Sequence, residues 1–326
     1  MEFNNEPKLS SADWEALREL RHWFLSEEVN SGRNYWDSSK ILDLYHLTFA
    51  QRIGWKWDAV LAQLRDTLLL SSTSRFALLD YGCGTGIASE KVIEMVGVGR
   101  ISQLNLWDQS RKACEFSQTR LAKRFPTLLV KESSDLQVPQ EPWILCISHL
   151  LSEIRESQLS QIISLAKKAH FVIWVEPGTS ELSRKLVGVR SQLLSEMSVV
   201  APCNHQNQCG MMAEQNQKHW CHFFASPPGQ VFQSAFWREF SLKLKIDLRS
   251  LPTSYLILQR KQESLVRHSP LSKVIGRPRI YKGYGKFLLC NGEGVREIQL
   301  LEKNQKTLFK SLKKEPFDQE VELSEC

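Results

Sequence analysis

Apolar positions at helical spacing open the chain and give way to short buried runs at about residue 73. Ser10 to Asp13 fits a capping box, and Trp14, Leu17, Leu20 and Phe24 follow on one helical face. A second helix is predicted from about Ser38 to Arg52, with Gly54 able to end it, and a third from Trp55 carrying Val60, Leu61 and Leu64. Residues 73–200 then alternate strands with helices. Apolar runs at Phe76–Leu79, Ile101–Trp107, Thr127–Lys131, Trp143–Ile147 and Phe171–Val175 read as parallel strands of a doubly wound α/β sheet. Ser241–Asp247 and Ser254–Gln259 read as a closing antiparallel pair. Lys286–Cys290 and Val295–Leu300, joined through Asn-Gly-Glu-Gly, read as a hairpin.

These patterns divide the chain into a helical region (1–72), an α/β domain (73–260) interrupted by a polar insertion (198–224), a basic β region (261–314) and an acidic tail (315–326). The tail holds five acids and no base, which predicts disorder. Tyr35, Trp36, Tyr45, Phe49, Trp55 and Trp57 crowd the helical region. They read as a cap packed on the next domain, with an RNA-stacking surface as the alternative.

Composition adds little beyond compartment. No apolar run reaches the ~18 residues of a membrane span. The polar, acidic N-terminus is neither a signal peptide nor a transit peptide, so the expectation is a cytoplasmic protein with no membrane partner. A net charge of +6 over 326 residues modestly favours an anionic partner. Eight cysteines in a cytosolic chain of this length argue for metal or cluster ligation, wherever they group, over a disulfide framework.

The chemistry concentrates at Leu79-Asp80-Tyr81-Gly82-Cys83-Gly84-Thr85-Gly86. A dinucleotide loop spaces its glycines G-x-G-x-x-G. Here the third glycine comes one residue early and an acid precedes the first. That form resembles motif I of class I S-adenosylmethionine (SAM) methyltransferases. The resemblance implies a seven-stranded Rossmann-like sheet, with Asp80, Gly82, Gly84 and Gly86 around the cofactor. Asp108, 22 residues beyond Gly86 at the tip of the second strand, is placed to accept ribose hydroxyls, and equally to cap the helix over 109–123. Asp135 follows the third strand, where SAM enzymes often set an acid against the adenine amino group; a plain turn acid is the alternative.

The fourth strand should carry the reaction chemistry. It lacks the Asn/Asp-Pro-Pro-aromatic tetrad of amino-group methyltransferases, and Cys146 has the setting of a core thiol. His149, Glu153 and Glu176, at the ends of strands four and five, are the acid/base or substrate-positioning candidates, each equally readable as a structural hydrogen-bonding residue.

Within the insertion, Cys203, Cys209 and Cys221 have spacings Cys-x5-Cys and Cys-x11-Cys in a polar loop that cannot build its own core. Zinc motifs usually open with ligands two to four residues apart. An iron–sulfur cluster wants four thiolates. His205, His222 and Cys290 are the candidates for a fourth ligand, and the spacing leaves cluster and zinc both open. Residues 260–286 carry eight Lys/Arg against the single acid Glu263, interleaved with Tyr281 and Tyr284, a composition that suits RNA; a solvated basic loop is the alternative.

Together with Val175-Glu176-Pro177-Gly178-Thr179, Ala201-Pro202-Cys203, Trp220-Cys221-His222-Phe223 and Arg277-Pro278-Arg279 leading to Cys290, these features resemble one family over about residues 35–300. It comprises the methyltransferase-like assembly proteins of the mitochondrial small ribosomal subunit and their bacterial relatives. The resemblance implies SAM in the sheet cleft and a 4Fe-4S cluster on Cys203, Cys209, Cys221 and Cys290, with His222 a neighbour. It implies a partner in the small ribosomal subunit and its 16S rRNA, with no DNA partner expected. Lacking a mitochondrial presequence, the chain looks like a bacterial member. Three activities follow: an rRNA methyltransferase, a non-catalytic assembly factor, or a small-molecule or protein methyltransferase with a structural zinc.

Overall fold

The computed structural model describes residues 6–25, 36, 38–64, 69, 74–132, 138–261, 271–314, 317 and 319–322. Tyr35, Asp135, Glu263 and Arg267 lie outside them. The chain divides into two compact units, Met1–Leu159 with Ala225–Leu251, and Ser160–Phe224 with Pro252–Cys326.

The first unit carries β1 (Phe76–Tyr81), β2 (Ile101–Trp107), β3 (Leu129–Glu132) and β4 (Trp143–Ser148) in the order β3-β2-β1-β4, all parallel. β1 is buried along its whole length, which is why its apolar run is continuous rather than alternating. Its register sets Asp80 opposite Leu106 on one side and Cys146 on the other.

Helix Ser11–Leu25 starts at the expected capping box. Ser10 Oγ accepts from the Asp13 amide at 3.2 Å, and Asp13 Oδ2 accepts from the Ser10 amide at 2.9 Å. Trp14, Leu17 and Leu20 pack against Phe236, Trp237, Phe240 and Leu244. Burial of each such Leu or Phe contributes about 1.5–3 kcal/mol. Trp55 meets Trp237 edge-on, with ring centroids 4.8 Å apart, and Trp36 and Trp57 are also buried. These rings are core, with no open face for a base.

Two expectations fail here. Gly54 does not end a helix: Ser39–Tyr45, a π turn at His46–Ala50 and helix Gln51–Leu61 run on through it. A Cβ at Gly54 would stand 3.2 Å from Ile87, so the glycine serves close helix packing. Ser241–Asp247 is not a strand. Ala235–Leu244 is a helix, capped by Ser234 Oγ on the Trp237 amide at 3.1 Å, with Phe236, Trp237, Phe240 and Leu244 buried.

The second unit carries β5 (Phe171–Pro177), β6 (Met197–Ala201), β7 (Phe223–Ala225) and β8 (Leu251–Arg260). β8 lies between β5 and β6, antiparallel to both, and β7 also pairs with it. The partners of the closing strand are therefore β5 and β6. The strand runs 3-2-1-4 and 5-8-6, with an antiparallel closing strand, are those of a class I SAM methyltransferase sheet.

A separate antiparallel sheet, in the order β11-β10-β9-β12, is built from β9 (Ser272–Tyr281), β10 (Tyr284–Asn291), β11 (Gly294–Leu301) and β12 (Glu320–Val321). The hairpin expected over 286–300 is its β10–β11 pair. Part of the expected disordered tail forms β12, because Val321 buries in the small core and Glu320 pairs with Lys273 at 2.7 Å.

Candidate functional site: the glycine loop and the thiol pocket

In the first unit β1 ends at a loop whose three glycines have φ of 76°, 49° and 73°. Gly86 is the most constrained. A Cβ there would approach Leu121 Cδ1 to 2.7 Å in a left-handed conformation that side chains disfavour.

Asp80 is fully buried. Its Oδ2 accepts from the Ser89 hydroxyl at 2.6 Å and the Ser89 amide at 3.3 Å, while Oδ1 is buried with no hydrogen-bond partner. Burial pushes its carboxyl up to about 6, against the opposing Ser89 hydrogen bonds.

Asp108 closes the loop from β2. Its Oδ2 accepts from the Gly84 amide at 2.9 Å and its Oδ1 from the Ser110 amide at 2.8 Å. The helix cap is Ser110 rather than Asp108; Ser110 Oγ accepts from the Ala113 amide. Helix Arg111–Arg124 holds the loop from behind. Ser117 Oγ donates to the Gly84 carbonyl at 2.6 Å, and Arg120 Nε donates to the Thr85 carbonyl at 3.0 Å. His46 Nδ1 lies 3.2 Å from Thr85 Oγ1, and burial, then the Arg120 charge, pulls this imidazole down to about 3.

His149 follows β4 with φ at 55°, rare for a residue with a side chain. Lys56 Nζ donates to its Nε2 at 3.2 Å, and Trp57 Nε1 donates to Ser148 Oγ at 2.9 Å. Burial, then the charges of Lys56 and Arg52, keeps His149 well below its ordinary range, so it is neutral near pH 7. Glu153 sits in the following turn, its amide donating to the Leu150 carbonyl; its charge adds to the burial that raises Tyr45. Asp80, Asp108, the glycines, His149 and Glu153 thus all belong to the first unit.

Glu176 belongs to the second. It is fully buried at the end of β5, and its Oε1 accepts from Trp174 Nε1 at 2.7 Å. The same unit gathers the cysteines. Cys209, Cys221 and Cys290 pack with Met211, Ile275 and Val295 in one apolar cluster. Burial raises the thiols of Cys203, Cys221 and Cys290. Cys203 and Cys209 raise Cys221 and Cys290 further, and Cys290 also raises Cys221. Cys290 reaches about 12.

Hydrogen bonds hold this pocket from outside. Ser254 Oγ donates to the Cys221 carbonyl at 2.8 Å, and Asn216 Nδ2 donates to the Gly210 and Val295 carbonyls. Arg184 Nη2 donates to the carbonyls of Asn216, Gln217 and His219 at 2.7–2.8 Å. Arg190 is 1% exposed. Its Nη2 donates to the His205 carbonyl at 3.1 Å, while Nε and Nη1 are buried without hydrogen-bond partners. Its positive charge lowers Cys203, Cys221 and Cys290. His205 Nε2 lies 3.7 Å from Cys290 Sγ, whereas His222 stacks on Trp220 with centroids 4.9 Å apart. Among the described residues no group of three or more His, Cys, Asp or Glu side chains is arranged to hold a metal ion.

Ser89, Ser117, Lys56 and Arg190 escape the sequence reading. Only Lys56 has a local signal, a charge set between Trp55 and Trp57.

The family model described as Mitochondrial small ribosomal subunit Rsm22 matches residues 49–319. No curated protein matches the chain. Solved structures of similar fold include the magnesium protoporphyrin IX methyltransferase ChlM from Synechocystis PCC 6803 with bound SAH. It is 12% identical, with 76% of this chain and 100% of that chain covered and a TM-score of 0.38. The precorrin-6y C5,15-methyltransferase from Geobacter metallireducens GS-15 is 12% identical, with 63% and 87% covered and a TM-score of 0.37. The mitomycin 7-O-methyltransferase MmcR is 10% identical, with 77% and 69% covered and a TM-score of 0.40.

Proposed function

The chain belongs to the Rsm22 family, and on that premise we propose a SAM-binding, methyltransferase-like protein that acts on the small ribosomal subunit and its 16S rRNA. The observation that carries the cofactor half is Asp80. A buried polar atom left without a partner costs about 1–3 kcal/mol, and a carboxylate oxygen more; a bound cation at Oδ1 would offset it. Asp80, Gly82, Gly84, Gly86 and Asp108 would hold SAM, and Asp135 joins them on the family pattern. When bound, SAM supplies a methyl group activated by its sulfonium. This chain's residues orient and desolvate: Ser89 fixes the Asp80 carboxylate, and Asp108 and Ser117 fix Gly84. Rate would come chiefly from alignment.

A non-catalytic assembly role is the second reading, and His149 favours it. At the end of β4 this neutral imidazole has Nε2 already engaged by Lys56, and no Pro-Pro-aromatic tetrad follows.

Cys203, Cys209, Cys221 and Cys290 would hold a 4Fe-4S cluster. Three of these thiols, Cys209, Cys221 and Cys290, share an apolar lining, and the buried Arg190 guanidinium, whose charge lowers Cys203, would offset the charge of an anionic cluster. The cluster would tie the insertion to β10. Anaerobic purification tests this part: iron and sulfide lost on Cys290→Ser support it, and stoichiometric zinc without sulfide overturns it.

The deciding experiment offers labelled SAM to small subunits from cells lacking the protein, with Asp80→Ala as control. Label entering 16S rRNA only with the intact protein establishes the enzyme. No label, with SAM and subunit binding both intact, establishes the assembly factor.

A further inference from the structure

The small sheet has two unlike faces. Val274, Phe287, Leu289 and Leu300 point inward against Phe309 and Leu312 of helix Lys306–Lys313. Alternation then turns Arg277, Arg279 and Tyr281 of β9 outward, all exposed. Register sets Tyr284 of β10 opposite Tyr281 and Lys286 opposite Arg279. The Tyr281 and Tyr284 rings stack, centroids 4.8 Å apart and planes within 14°, and Tyr281 remains 45% exposed. Further along the strand the Arg277 guanidinium lies over the Phe224 ring, 4.2 Å from its centroid. Arg279 is paired with Glu297 of β11. Among the described residues Lys282, in the two-residue turn, and Lys286 form no ion pair.

We propose that this face binds an unpaired RNA segment, with one base stacked on the exposed ring of Tyr281 and the adjoining phosphates on Lys282 and Lys286. The inference rests on the reading that the chain acts on small-subunit RNA, and deepens it by naming the surface and the strandedness. A ring pair braced by its partner strand is a preformed stacking platform, and every base has a face to offer it. A duplex keeps its bases stacked on one another, so this arrangement selects loops, bulges and single strands. Charge complementarity agrees: two cations without an ion pair flank the rings.

The test uses the full chain and fluorescence anisotropy. The probes are a single-stranded RNA of about twelve nucleotides, the same strand in a duplex, and isolated small subunits. The single strand should bind more tightly than the duplex. Tyr281→Ala should weaken single-strand binding about tenfold, and Tyr281→Phe should retain it. Lys282→Gln should reduce the salt slope by about 0.7. Circular dichroism and thermal melting confirm that each variant is folded.

Equal affinity for duplex and single strand overturns the proposal, as does an unchanged Tyr281→Ala. An acidic peptide that displaces the RNA probe at equal concentration reassigns the face to a protein partner and also overturns it. Binding to small subunits without binding to the oligonucleotide defeats the surface assignment and leaves the function intact. Binding to neither defeats both.

Discussion

Ser89 gives both its hydroxyl and its amide to one oxygen of Asp80, at 2.6 and 3.3 Å, and so ties the first turn of helix Ile87–Val96 to the end of β1. The second oxygen of that carboxylate is left for something else. Burial raises the Asp80 pKa from 3.8 to about 6. The folded chain therefore holds this proton more tightly than the unfolded chain. The resulting stability is fully present below about pH 4 and is lost as pH rises through about 6, about 3 kcal/mol in all. Urea denaturation across this range should show the decline, and Asp80→Asn should flatten it. SAM affinity should rise over the same window in the wild type, as the carboxylate ionises, and Asp80→Asn should abolish that rise in calorimetric titration.

Gly86→Ala introduces a methyl group 2.7 Å from Leu121 at φ 73°. Left-handed backbone costs about 1–2 kcal/mol for a residue with a side chain, and displacement of Leu121 adds to it. A Tm lower by about 5 °C is expected, with SAM binding weakened more than subunit binding.

Lys56→Met removes the charge that, next to burial, does most to hold His149 down. The His149 pKa should move upward without reaching its ordinary 6.5, because burial remains. Proton NMR titration of the ring reads this directly. A pKa that stays put would mean that Lys56 has no electrostatic hold on His149.

Arg190→Gln deletes the charge beside the thiols and, with its shorter side chain, the donor to the His205 carbonyl. If the pocket carries an anionic cluster, chelator-driven iron loss should quicken about tenfold. If it carries none, Arg190→Gln and wild type should yield the same metal content on anaerobic purification.

The glycine loop was legible because its demands are local. An acid at a strand end and three positive-φ glycines can be read without knowing any partner. Ser89, Ser117 and Arg190 matter only through what folding brings beside them, and each is an ordinary helix residue by spacing. Ser241–Asp247 misled for a different reason. Leu242, Leu244 and Ile246 alternate as a strand would, yet Leu242 is 73% exposed and the buried set runs Phe236, Trp237, Phe240, Leu244 from the Ser234 cap. β9 was hidden by Pro278 and by its basic residues, of which Arg277 and Arg279 face outward and Lys273 is buried against Glu320. The cysteine grouping was visible by count, but the meeting of Cys290 with the insertion depends on β10.

The position of β8 between β5 and β6 bears on the order of events during synthesis. Both neighbours are made first and neither pairs with the other. Until residue 260 has left the ribosome, β5 and β6 each present an open backbone edge, the kind that recruits stray strands. A nascent chain stalled in helix Ala235–Leu244 would expose those edges together. Truncations ending before β8 should accordingly be chaperone clients, whereas one ending just after it has every strand of that sheet in hand.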